Sequence, residues 1–139
     1  EEEEIPQAAL LFRAIAEAER VHANRHMNLV KDLIVKDTDT NLRNSFKREK
    51  SISENEYPQF IKDAEDEGEQ AAAMTFSQAR DAESYHAKLY ERAMYQVIRD
   101  ETKSYHVCQV CGYVTSNKLP EKCPICGAPK EKFKTIEAD

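Results

Sequence analysis

The chain has 139 residues, a net charge of −6 and three glycines, and a third of its residues are charged. That length bounds it to one small domain or a domain with an appendage, and no apolar run approaches the ~18 residues of a membrane span. The charge is unevenly spread: residues 1–102 carry 14 Lys/Arg against 22 Asp/Glu, which argues against the basic face that a nucleic-acid binder needs.

Residues 5–34 place Phe12, Ile15, Glu19, His22, His26, Leu29 and Leu33 at alternating spacings of 3 and 4. This is one stripe of an amphipathic helix. Pro6 suits its first turn, and the acidic run Glu1–Glu4 suits the positive end of its dipole. Residues 35–50, "VKDTDTNLRNSFKREK", are polar and lack a sustained stripe. They read as a connection, with at most a helical turn around Leu42 and Phe46. A connection that long is expected to cross from one end of a bundle to the other. Residues 51–67 read as a second helical segment, with Ser53 as its N-cap and Glu56 at the capping-box distance. Pro58 would kink that helix or start it afresh, and Gly68 reads as its C-cap.

Residues 69–101 form a third helix. Its stripe runs Ala72, Phe76, Ala79, Glu83, His86, Tyr90, Ala93 and Val97. After Asp100 the composition turns extended and β-leaning, which puts a domain boundary near residue 102. The expected fold class is mainly α, a helical bundle over 1–102 and a small second domain over 103–139.

Both long stripes carry Glu-x-x-His-Ala: Glu19 with His22, and Glu83 with His86. On a helix, positions i and i+3 share a face, and the stripe spacing turns that face inward. A buried ionised carboxylate costs several kcal/mol unless it is paired or bound to a metal. Two such pairs are best explained by metal held between helices, with Glu supplying oxygen and neutral His supplying nitrogen. The Glu-x-x-His pair is the signature of ferritin-like di-iron bundles. His26 lies on the first stripe, but Tyr90 takes its place on the second, so it reads as core or as a neighbour of ligands.

All four cysteines fall in "CQVC" (108–111) and "CPIC" (123–126), and Gly112 and Gly127 each follow a second Cys. A glycine there lets the backbone turn tightly and aim its amides at sulfur. Four thiolates give a tetrahedral site for zinc or for a single iron, and spacing does not separate the two.

The whole chain resembles rubrerythrin, through "AERVHA", "AESYHA", "EYPQF", "CQVCGY" and "CPICGAPKEKF". The resemblance implies a ferritin-like bundle followed by a rubredoxin-like domain, with iron rather than zinc at Cys108, Cys111, Cys123 and Cys126. It further implies a peroxidase that reduces hydrogen peroxide at a non-haem di-iron site. The rubredoxin-type iron would relay electrons from an external reductase or rubredoxin-type donor, usually within a head-to-tail dimer, in the oxidative-stress defence of anaerobes. By the same resemblance, Glu19 and Glu83 match bridging carboxylates. His86 matches a terminal iron ligand, and His22 matches the imidazole that binds one iron in the reduced state. These four are the expected metal-binding and catalytic residues.

Tyr57 and Pro58 match the family's Tyr-Pro. The two further glutamates expected before it fall, counted back from Pro58, at Asn55 and Ile52, and neither is a carboxylate. The family's first helix has no counterpart before "EEEE". These departures support an alternative, an electron carrier or metal-binding scaffold whose bundle site is degenerate and holds one ion, or two weakly. Three amphipathic helices leave an apolar groove open, so a homodimer or higher homo-oligomer is expected. Four metal-type thiols and no visible export signal suggest the cytoplasm.

Overall fold

A computed structural model describes residues 5–96, 102 and 104–137 of the chain. The acidic run Glu1–Glu4, Val97 and most of the expected boundary near residue 102 lie outside the described residues. The chain divides into two compact units, Glu1–Asp37 and Thr38–Asp139.

The first unit is helix α1, Pro6–Ile34, with the proline in its first turn as expected. None of its residues is buried. The apolar members of the stripe are largely exposed, Phe12 at 75%, Leu29 at 80% and Leu33 at 74%.

The second unit opens on a correction. Residues 38–51 are not a connection but helix α2, Thr38–Ser51. Leu42, Ser45, Phe46 and Glu49 are all partly buried along one face, and that face packs on a later helix, α4. Only two of the four are apolar, so the sequence stripe was too thin to register. Tertiary packing outweighs weak local propensity here.

The chain then passes without a break into a π-helical turn, Ile52–Glu56, closed by the Tyr57 N–H on the Ile52 carbonyl, and on into α3, Tyr57–Asp66. Ser53 is therefore no N-cap. It is buried inside the continuous helix, and its hydroxyl donates to the Lys50 carbonyl at 3.1 Å. Pro58 sits in the first turn of α3, where its missing N–H is tolerated. The wider π turn precedes it.

Helix α3 ends as the sequence suggested. Gly68 adopts φ +77°, its N–H reaches the Glu65 carbonyl at 3.1 Å, and the Glu69 N–H reaches Ala64 at 2.8 Å. This is a Schellman closure.

Helix α4, Gln70–Gln96, is the spine on which α2 and α3 pack. The buried positions of this helical packing are small: Ala64 on α3, and Ala73, Ala82 and Ala87 on α4. Small residues let the helix backbones approach closely. Tyr57, Phe60 and Phe76 stack at one end with ring centroids 5.8–6.4 Å apart, each pair contributing ~0.5–1.5 kcal/mol.

Strands β1 (Ser104–Cys108), β2 (Val114–Ser116) and β3 (Phe133–Glu137) form an antiparallel sheet in the order β2-β1-β3. Its register pairs Val107 with Val114 and Cys108 with Phe133. The core beside this sheet is Cys108, Tyr113, Cys123 and Ala128. Half of it is sulfur, so a metal must supply cohesion that apolar burial cannot in so small a unit.

Nothing lies within 4 Å of a Cβ built on Gly68, so an alanine there suffers only from its backbone conformation. Gly68→Ala is expected to cost about 1 kcal/mol, measured by urea unfolding. An unchanged midpoint would contradict the αL closure.

Candidate metal centres

The four cysteines converge from two matched turns. In the first, the Gly112 N–H bonds the Cys108 carbonyl at 3.0 Å and the Cys108 N–H bonds Tyr113 at 2.9 Å. In the second, Gly127 bonds Cys123 at 2.9 Å and Cys123 bonds Ala128 at 2.8 Å. Gly112 and Gly127 take φ +78° and +73°, the left-handed conformation the sequence reading required of them.

The Sγ atoms of Cys108 and Cys126 stand 3.7 Å apart, and those of Cys111 and Cys123 stand 3.6 Å apart. A disulfide needs ~2.05 Å. A tetrahedral four-thiolate metal with bonds of ~2.3 Å has edges of ~3.8 Å, so the sulfurs are already at metal spacing. Burial pushes the Cys111 and Cys126 thiols up. At Cys108 burial also acts upward, but the backbone N–H groups of Cys111 and Val110 and the neighbouring sulfurs outweigh it and bring the thiol down. A cation among the four removes the cost of charging them together.

The second centre lies on the helices. Glu49 of α2 meets Glu83 and His86 of α4, with ligand atoms all within 4.8 Å of one another. Their side chains are only 21%, 25% and 20% exposed. His86 Nδ1 is 2.9 Å from a Glu83 carboxylate oxygen and 3.8 Å from one of Glu49. Burial, the hydrogen bond with Glu83 and the Glu83 charge push the Glu49 carboxyl up to about 7, against a smaller downward pull from Arg48. Burial and the charges of Glu83, Glu49 and Glu56 likewise raise the phenol of Tyr57.

The other ring nitrogen of the imidazole settles how the group fits a metal. Nε2 of His86 lies 3.0 Å from the Gly112 carbonyl. A carbonyl only accepts, so Nε2 carries the hydrogen. Nδ1, the other ring nitrogen, faces the two carboxylates, where a bound metal ion would take its lone pair. A backbone carbonyl holding the far N–H of a ligating histidine is the usual outer support of a metal site. Two carboxylates and an oriented imidazole, crowded enough for one carboxyl to hold its proton near neutrality, fit an iron-type cation.

The sequence placed Glu83 and His86 correctly beside each other but missed Glu49. Counting back from Pro58 by α-helical steps pointed to Asn55 and Ile52. The carboxylate that reaches the group is Glu49 of α2, three residues, or about one helical turn, before Ile52. A signal was present: Leu42, Phe46 and Glu49 are spaced 4 and 3 apart, as in the other stripes.

Glu19 and His22 are paired on α1, Oε2 to Nδ1 at 3.3 Å, with side chains 68% and 58% exposed. His26 is exposed as well.

The family model described as rubrerythrin matches residues 1–94, and the one described as rubrerythrin, rubredoxin-like domain, matches residues 106–134. Nigerythrin of Nitratidesulfovibrio vulgaris is 34% identical over 139 residues, covering 91% of this chain and 69% of that protein. Rubrerythrin-2 of Clostridium acetobutylicum is 32% identical over 148 residues, covering 94% of this chain and 79% of the relative. The solved structure of nigerythrin in a mixed-valent state superposes with a TM-score of 0.69 at 32% identity, covering 97% of this chain and 72% of that one. The fully reduced, all-ferrous nigerythrin structure matches with the same TM-score.

Protonated Glu49 competes with a bound cation. Below pH 7 the affinity of the carboxylate site is therefore expected to fall by up to about tenfold per pH unit. Chelator competition on protein with its four-cysteine centre already filled, in wild type and Glu49→Gln, measures this. The variant should bind more weakly and lose that part of the slope. Identical slopes would contradict the role of Glu49.

Proposed function

We propose that this chain, which belongs to the rubrerythrin family, is a non-haem iron peroxidase that reduces hydrogen peroxide to water. The overall change is H2O2 + 2 e⁻ + 2 H⁺ → 2 H2O, with the electrons coming from an external reductase or rubredoxin-type donor. Glu49, Glu83 and His86 would hold iron that supplies the electrons for breaking the O–O bond, and Cys108, Cys111, Cys123 and Cys126 would hold the iron of a one-electron relay.

The chain's own residues do the rest. Glu83 and Glu49 provide carboxylate oxygens. Tyr57 borders the same carboxylates and keeps its phenolic proton. Glu19 and His22 are proposed as a further carboxylate–imidazole pair for iron, on the resemblance of "AERVHA" to the family motif. Residues 1–102 then form the ferritin-like part and 103–139 the electron relay.

One observation carries this reading above that of a simple electron carrier. The hydrogen bond from His86 Nε2 to the Gly112 carbonyl, at 3.0 Å, ties the helical centre to the peptide that follows Cys111. A scaffold with a degenerate helical site has no use for a link between its two centres. Tyr85 and Tyr113 pack edge to face beside it with centroids 4.8 Å apart, which holds α4 against the four-cysteine turn.

A homodimer or higher homo-oligomer is proposed, supported by the exposed apolar residues of α1. A cytoplasmic setting is proposed as well, supported by four thiols spaced for metal rather than disulfides. Among the described residues no helix is long and apolar enough to cross a membrane.

The test is anaerobic reduction followed by hydrogen peroxide, with the four-cysteine iron absorption followed in time. Rapid reoxidation is expected in the wild type, and Glu83→Ala should slow it by roughly 100-fold. A rate unchanged by that substitution would favour the electron-carrier alternative.

A further inference from the structure

Beside the helical centre lies a cavity of about 410 Å³, and it opens onto Glu49 and His86. Its remaining walls come from Leu42 of α2, Leu89 and Ala93 of α4 and Val114 of β2, with ring surface from Tyr90 and Tyr105. All of these lie within the unit Thr38–Asp139.

Hydrogen peroxide does not need such a space. It occupies little more than a water, whose share of liquid volume is ~30 Å³. A cavity of this size falls in the ~300–1,000 Å³ range of sites for small organic molecules. Its walls also have the wrong chemistry for a water-like substrate. A small polar molecule gains nothing from Leu42, Leu89 and Val114, whereas an apolar group leaving water for them gains ~25 cal/mol per Å² buried. The groups able to handle a hydroperoxyl head, the Glu49 carboxyl and the oriented His86 imidazole, sit together at one side.

We propose that this cavity is a substrate site for organic hydroperoxides, compounds of the form ROOH whose apolar R group of roughly ten non-hydrogen atoms fills it. The inference rests on the peroxidase reading above and extends its substrate class. The balanced change is ROOH + 2 e⁻ + 2 H⁺ → ROH + H2O. The O–O bond breaks, one proton goes to each oxygen, and the electrons come from the same external donor through the four-cysteine centre. The apolar walls hold R and leave the O–O bond at Glu49 and His86.

Cumene hydroperoxide is the probe, compared with hydrogen peroxide on the iron-loaded full chain. Wild type is expected to reduce both. Ala93→Phe, which fills the cavity away from Glu49 and His86, is expected to lower the ratio of kcat/KM for cumene hydroperoxide to that for hydrogen peroxide by at least about tenfold. Turnover of hydrogen peroxide with none of cumene hydroperoxide, or a ratio unmoved by the substitution, would overturn the inference.

A second measurement does not depend on turnover or on the variant folding. The product alcohol, 2-phenyl-2-propanol at about 5 mM, should shift the methyl NMR signals of Leu42, Leu89 and Val114 in wild-type protein. Unshifted methyls overturn the site. Shifted methyls without turnover of either peroxide would leave the cavity as a binding site and remove the peroxidase reading instead.

Discussion

The second unit is organised around one costly contact, the approach of two carboxylates, Glu49 and Glu83, inside a partly buried helix interface. Like charges at this distance repel, and burial removes the water that would screen them. The strain is visible in the Glu49 carboxyl, which holds its proton up to about 7. A divalent cation turns this liability into binding energy. The neighbouring features serve that exchange: α2 runs straight into a π turn, the close-packed positions between helices are alanines, and His86 is pinned by a backbone carbonyl.

The pinning comes from the other centre. Gly112 must adopt a left-handed backbone conformation to close the turn around Cys108 and Cys111, and the same peptide presents its carbonyl to His86. One glycine thus shapes the thiolate cage and orients the imidazole. The strand domain has little apolar core beyond its sulfurs, so the metal that fills the cage also stiffens the platform from which Gly112 reaches the helices. Loss of metal at the four cysteines should therefore be felt at the carboxylate site through His86, even though the two donor sets share no ligand.

Much of this was legible in the sequence, and the exceptions have physical causes. The Cys-x-x-Cys-Gly turns are local devices whose geometry follows from adjacent residues, so spacing alone foretold them. Glu83 and His86 are three apart on one helix and needed no tertiary information. Helix α2 was hidden because its packed face carries Ser45 and Glu49 where apolar residues announce a helix. With only Leu42 and Phe46 apolar, the stripe was too short to stand out. Glu49 was missed a second time because the count back from Pro58 stopped at Ile52, about one helical turn short of it. The stripe of α1 was legible as a pattern, yet its residues are exposed, because periodicity reports which residues share a face and not what covers that face.

The central claim is that Glu49, and no residue nearer Pro58, completes a working iron site with Glu83 and His86. Iron per chain, measured by mass spectrometry on wild type and Glu49→Gln loaded side by side, tests it most directly. More than one iron is expected in the wild type, falling to about one, the four-cysteine iron alone, in the variant. About one iron in both proteins would contradict the claim and leave the chain an electron carrier with an unused carboxylate cluster.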